Sequence, residues 1–124
     1  MIKVVYCIQK CDEIDLQEFG RDWSKEIQLI KNLGKSLTAS RCVYNRTILP
    51  DVNDEFRRNR PGMQAPYEGI LEFWLKSAED LRRTLSFMDA QVRAANERLL
   101  EDEKRIIDVS RSRLFVTEES VIFE

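Results

Sequence analysis

The 124-residue chain contains no histidine. Ser–His and Cys–His nucleophile pairs are therefore impossible, and so is histidine ligation of a metal. Any proton transfer must fall to Asp, Glu, Tyr, Lys or Cys. Cysteine is scarce and odd in number: Cys7, Cys11 and Cys42 cannot all pair, so a reduced cytoplasmic protein is the simplest expectation. The C-x3-C of Cys7 and Cys11 has no second pair to complete a zinc site. No sign of charge dominates: 20 Lys and Arg oppose 22 Asp and Glu, for a net charge of -2. That balance gives no electrostatic footprint for nucleic acid. No apolar run is long enough to span a bilayer. The opening MIKVVYCIQK is too short in its apolar part for a signal peptide and reads as a strand. Proline is rare as well, and Pro50, Pro61 and Pro66 all fall in one stretch, expected to be a loop over residues 50–66.

What is present suffices for one domain over residues 1–124, at 43% hydrophobic content. Residues 15–34, DLQEFGRDWSKEIQLIKNLG, organise it. Asp15 is placed to cap a helix, Glu18 to complete a capping box, and Gly34 to stop it. Leu16, Phe19, Trp23, Ile27, Ile30 and Leu33 recur at helical spacing along one arc. Glu26 falls inside that arc, about 20° from Phe19. A carboxylate turned toward a core is either paired or used.

Strands are expected over residues 2–9, 38–49, 67–76 and 114–123, the last bent around residues 118–120. Helical patterns run over 78–89, with Leu81, Leu85 and Met88, and over 90–108, with Val92, Ala95, Leu99, Ile106 and Ile107. A break is expected at Asp89–Ala90. The order strand, helix, strand, strand, helix, strand predicts an α+β, ferredoxin-like βαββαβ fold with helices on one face of an antiparallel four-stranded sheet. Val5, Cys7, Val43, Ile70 and Trp74 would then leave an apolar patch on the open face, which a two-fold homodimer would cover.

Three motifs sit on these elements: Phe19-x3-Trp23-x2-Glu26 on the first helix; Tyr67-Glu68-Gly69 with Glu72-Phe73-Trp74 on the third strand; and Asp102-Glu103-Lys104-Arg105-Ile106-Ile107-Asp108 followed by Ser110-Arg111-Ser112. With them the chain resembles the EthD-type proteins of the dimeric α+β-barrel superfamily over nearly its full length. In that family a histidine usually stands at the Glu26 position and an aromatic at the Ile106 position. The resemblance implies a pocket between sheet and helices in each subunit, no cofactor, and pocket positions at Glu26, Cys42 and Phe73. Relatives include decarboxylases and dehydratases of aromatic polyketide pathways, the lactone isomerase methylmuconolactone methylisomerase, and proteins with an assumed role beside oxygenases.

Glu26 is the candidate general acid/base, against the alternative of a core glutamate bonded to Tyr6, Tyr44 or an arginine. Tyr6 and Tyr44 are expected on inner strand faces, either packed or clustered with Glu26 around a substrate oxygen. Trp23 and Phe73 would line the pocket, and Tyr67 would meet substrate at its mouth. Cys42 reads as an inert buried thiol in the lining. Of Arg41, Arg46 and Arg93, strand parity favours Arg46 to hold a substrate carboxylate. Glu72 is expected on the dimer side. Nothing in the pattern orients Asp102, Glu103 or Asp108. The expected function is a cofactor-independent lyase, a decarboxylase or dehydratase, moving protons on a small aromatic, polyketide-like or lactone carboxylic acid. The alternatives are an isomerase or cyclase on a related substrate, and a non-catalytic ligand-binding accessory protein of an oxygenase system. Its partners would be that small molecule and a second copy of the chain, with neither nucleic acid nor membrane.

Overall fold

The elements run β1 (Ile2–Ile8), α1 (Leu16–Ser36), β2 (Arg41–Arg46), α2 (Pro50–Arg58), β3 (Gly69–Leu75), α3 (Ala78–Ser86), α4 (Ala90–Ile106), a 3-10 turn (Val109–Arg111) and β4 (Arg113–Glu118). The computed structural model describes residues 1–36, 38–86 and 90–124; within α1 and α4 it leaves aside the side chains of residues 29, 32, 33, 36, 90–93, 95, 96, 99 and 102. The break expected at Asp89–Ala90 falls outside the described residues, as do the side chains of Leu33, Met88, Val92, Arg93, Ala95, Leu99 and Asp102.

The strands form one antiparallel sheet in the order β2-β3-β1-β4, the ferredoxin-like arrangement that the element order predicts. Period-2 patterning sets its two faces. Tyr6, Ile8, Leu71, Phe73 and Leu75 turn toward the helices and join Phe19, Trp23, Ile30, Ile106 and Ile107 in the core. Lys3, Ile70, Glu72 and Trp74 lie on the other face. There Lys3 pairs with Glu72 at 3.2 Å and with Glu119 at 3.3 Å, and the Trp74 indole donates to Glu119 at 3.0 Å. The chain beyond β4 thus steps onto the open face at Glu119.

Asp15 caps α1, accepting from the Glu18 backbone N–H at 2.7 Å. Gly34 does not stop the helix, which runs on to Ser36. It instead admits β3: a Cβ on Gly34 would stand 3.2 Å from Phe73 Cε1. The stretch 50–66 is also not all loop. Leu49 in the left-handed region delivers Pro50 to the first position of α2, where its missing N–H costs nothing. Asp51 in the first turn and Arg57 and Arg58 in the last complement the helix dipole. The strands are shorter than their β-rich stretches, because pairing with neighbours fixes their ends.

The end of α4 is stitched to the end of β1. Asp108 N–H donates to Gln9 O at 2.8 Å, and Gln9 N–H donates to Ser112 Oγ at 2.9 Å. Arg111 bonds Asp108 at 2.6 Å and Asp12 at 2.9 Å. The Asp108 and Ser110-Arg111-Ser112 motif is therefore a staple that holds α4 in register with the sheet.

Candidate functional site

Among the described residues, three hollows can be followed along the helix side of the sheet. The inner one, about 320 Å³, is walled by Val4, Leu71 and Phe73 from the sheet, Trp23 and Ile30 from α1, and Leu81 from α3. Leu85, Leu100 and Leu114 form an exposed aliphatic mouth. Among the described residues its lining is aliphatic and aromatic except for Tyr6 and Glu103. These two meet: the Tyr6 hydroxyl donates to Glu103 Oε2 at 3.2 Å, joining β1 to α4. Both residues are buried. Burial pushes the Glu103 carboxyl above its ordinary value, and the Tyr6 hydrogen bond opposes this. Burial, with the Glu103 charge beside it, raises the Tyr6 phenol too, so Tyr6 stays a neutral donor.

The outer hollow, about 560 Å³, lies on the other side of Trp23, which lines both. Phe19 stacks on Trp23 with centroids 6.0 Å apart, and Tyr44 tilts against Trp23 at 5.4 Å. Arg46 and Glu68 stand at its rim. Desolvation raises the Tyr44 phenol, with Glu68 adding to the shift and Arg46 opposing it. A third hollow, about 380 Å³, takes in Cys42, Tyr44, Lys31, Lys35 and Arg41.

The sequence candidates are thus divided. Tyr6, Trp23 and Phe73 reach the inner hollow; Trp23, Tyr44 and Arg46 the outer; Cys42 and Tyr44 the third. Glu26 is buried on α1 and is not among the described residues that line these three hollows. Tyr67 is half-buried just before β3 and lines none of them either. Cys42 is exposed rather than buried because β2 is an edge strand; its surroundings still desolvate the thiol and raise its pKa. Glu103 is the residue that sequence reasoning left without a direction. The signal was there: Ile106 and Ile107 follow it at i+3 and i+4, so it lies on the apolar stripe of α4 just as Glu26 lies on that of α1.

Among the described residues, no group of three or more Cys, Asp or Glu side chains is placed to hold a metal ion, and no helix is long and apolar enough to cross a membrane.

No protein-family model and no curated protein matches the chain. Solved structures do. A dimeric protein of unknown function and ferredoxin-like fold from Bacteroides fragilis superposes with a TM-score of 0.60 at 10% identity, over 95% of each chain. A hypothetical Arabidopsis thaliana protein is similar in its solution structure, with a TM-score of 0.54 at 11% identity over 99% of this chain and 91% of that one. An Arabidopsis thaliana crystal structure gives a TM-score of 0.56 at 10% identity over the whole of both chains. At this identity the likeness concerns the fold.

Proposed function

We propose that the inner hollow is the active site of a cofactor-free enzyme that moves a proton on a small, mainly apolar carbonyl compound. The observation that carries this reading is the Tyr6–Glu103 pair, set as the polar element of an otherwise apolar lining. A carboxyl whose pKa is raised by burial both takes and returns a proton near neutral pH. Glu103 takes the proton from a carbon next to the carbonyl, and the bonding electrons pass to the carbonyl oxygen as an enolate. The same proton then goes to a departing β-hydroxyl, which leaves as water, or to another atom of the same molecule. The first outcome is a dehydratase, the second an isomerase. Tyr6 is a positioning residue: it holds Glu103 Oε2 and leaves Oε1 for the substrate. Among the described residues the lining includes no Lys or Arg, and a substrate without a carboxylate suits such a lining.

The reading accords with the resemblance to EthD-type proteins and their lactone and polyketide substrates, with the proton carrier on α4 in place of α1. A homodimer formed through the open sheet face belongs to the same reading, as does a reducing compartment such as the cytoplasm for the three free cysteines. An accessory ligand-binding role is the second reading. It is favoured by Tyr6 spending its hydroxyl on Glu103, which leaves one polar group for the ligand among the described lining residues.

Deuterium exchange decides between them. The protein is incubated in D2O with a panel of aromatic β-hydroxy ketones and unsaturated lactones, and the carbon next to the carbonyl is followed by NMR. The active-site reading expects exchange that Glu103→Gln slows by about a hundredfold or more, while Glu26→Gln retains it. Exchange unaffected by Glu103→Gln overturns the assignment. Binding without exchange supports the accessory role. Product mass separates dehydration from isomerisation.

A further inference from the structure

We propose that β4 is a self-recognition edge: a second copy of the chain adds its own β4 alongside, antiparallel, about a two-fold axis at Phe115. This contact is separate from the open sheet face. It rests neither on the proton-transfer reading nor on the dimer through that face.

Strand order leaves β2 and β4 at the two edges of the sheet. An edge strand presents backbone N–H and C=O groups without a neighbour, and proteins blunt such edges with charge, proline or bulges. β2 is blunted by charge of one sign, because Arg41 and Arg46 stand exposed at its two ends. Two copies of that strand repel. β4 has no such device between its ends. Its ladder to β1 runs without a bulge from Arg113 to Glu118. Between these two lie Leu114, Phe115, Val116 and Thr117. Leu114 is 64% exposed, Phe115 46% and Val116 53%. Successive residues point to opposite faces, so a layer on one face cannot cover all three, whereas a strand added along the edge covers both. The chain that follows does not fold back along this edge, because Glu119 is held on the open face by Lys3 and Trp74.

The order of residues in β4 matches a second β4. Antiparallel pairing sets residues of the same sheet face opposite one another, so a two-fold axis normal to the sheet passes through a residue, not between two. With the axis at Phe115, Phe115 meets Phe115 of the second copy, Leu114 meets Val116, and Arg113 meets Thr117. Each apolar residue faces an apolar one, and no like charges are opposed. Moving the axis by one residue sets Phe115 against Arg113, or Leu114 against Glu118. A parallel pair in register sets arginine beside arginine and glutamate beside glutamate. With one charge of each sign, β4 meets its copy without net repulsion. On the helix side, Val116 of the second copy stands beside Leu114 at the mouth of the inner hollow, so the two mouths share one aliphatic rim. A seam of six residues is small beside a sheet face, so it forms at higher concentration than the face contact.

Sedimentation over a rising concentration series tests the edge. The open-face variant, Ile70→Lys with Val43→Asp, dimerises at the top of the series. Adding Phe115→Lys weakens that association about tenfold or more, while the circular dichroism melt is unchanged because the side chain is half exposed. Phe115→Cys, mildly oxidised, gives a covalent dimer whose linked peptides join position 115 to position 115. Thr117→Cys, which faces Arg113, gives no link between its two copies. Association that survives Phe115→Lys overturns the proposal. So does Phe115→Cys without a 115-to-115 link, or a link from position 115 to β2 of another copy.

Discussion

Tyr44 lies across Gly69 on the neighbouring strand, its hydroxyl and ring occupying the space that any side chain at position 69 would need. In the β2–β3 ladder Gly69 pairs with Arg46 and Tyr44 with Leu71, so the contact is diagonal. The glycine lets the phenol settle against the sheet and form one wall of the outer hollow. Gly69→Ala should therefore destabilise the fold by about 1–3 kcal/mol, the usual cost of overpacking. Combining it with Tyr44→Ala should cost less than the sum of the two changes, because the clash is then gone. Urea unfolding midpoints of the two single variants and the double variant measure this; strict additivity would show that the two residues do not compete for the same space.

Glu103 gives stability a pH dependence of defined sign. Its folded-state pKa is raised above the ordinary 4.5, so the native protein holds this proton more tightly than the unfolded chain does. The stabilisation is complete below about pH 4.5 and is lost as pH rises through the folded-state pKa. Glu103→Gln carries no such proton. Between about pH 4 and pH 8 its melting temperature should fall less than that of the wild type. Parallel melting curves across this range would remove Glu103 as the source.

The Asp108 staple runs the other way. Hydrogen bonds from Ser110 and then Arg111 hold the Asp108 carboxyl below its usual range. Its contribution is present above the unfolded value of 3.8 and is lost as pH falls through the folded-state pKa. Arg111→Ala should thus lower the melting temperature at about pH 7 and have progressively less effect as pH falls through the folded-state pKa of Asp108. Circular dichroism melts over a series of falling pH values provide the check. A drop that stays constant across the series would assign the effect to Arg111 contacts other than Asp108.

The open face predicts the state of assembly. Val43, Ile70 and Trp74 are half-buried there in the single chain, beside the Lys3–Glu72 pair. Ile70→Lys with Val43→Asp puts charge into the centre of the face without touching the core. This double variant should sediment as a folded monomer at a concentration where the wild type sediments as a dimer. A wild type that sediments as a monomer would show that this face does not join two copies.

The sheet was readable because its residues alternate with period 2 and only one register buries Tyr6, Leu71 and Phe73 together. The first helix was readable from a single apolar arc and from Asp15. Other features depend on partners far along the chain. Gly34 looks like a helix stop until Phe73 is placed beside it. Cys42 looks buried until strand order puts β2 at an edge. Pro50 opens a helix as readily as it punctuates a loop, and only the backbone at Leu49 selects between the two. Glu103 meets the apolar stripe of α4 as Glu26 meets that of α1, but its partner, Tyr6, comes from the other end of the sequence. The separation of the hollows by Trp23 had no local signature, because it depends on how far one ring projects between two layers.

The earliest of the four strands in the sequence is also the last to be completed. β1 sits between β3 and β4, and Tyr6 waits for a carboxylate 97 positions downstream. Both edges of that strand lack partners until β3 is made, and one stays open until β4 follows, leaving a template for adventitious pairing during synthesis. Slow, late closure is the kinetic signature of such long-range joinery.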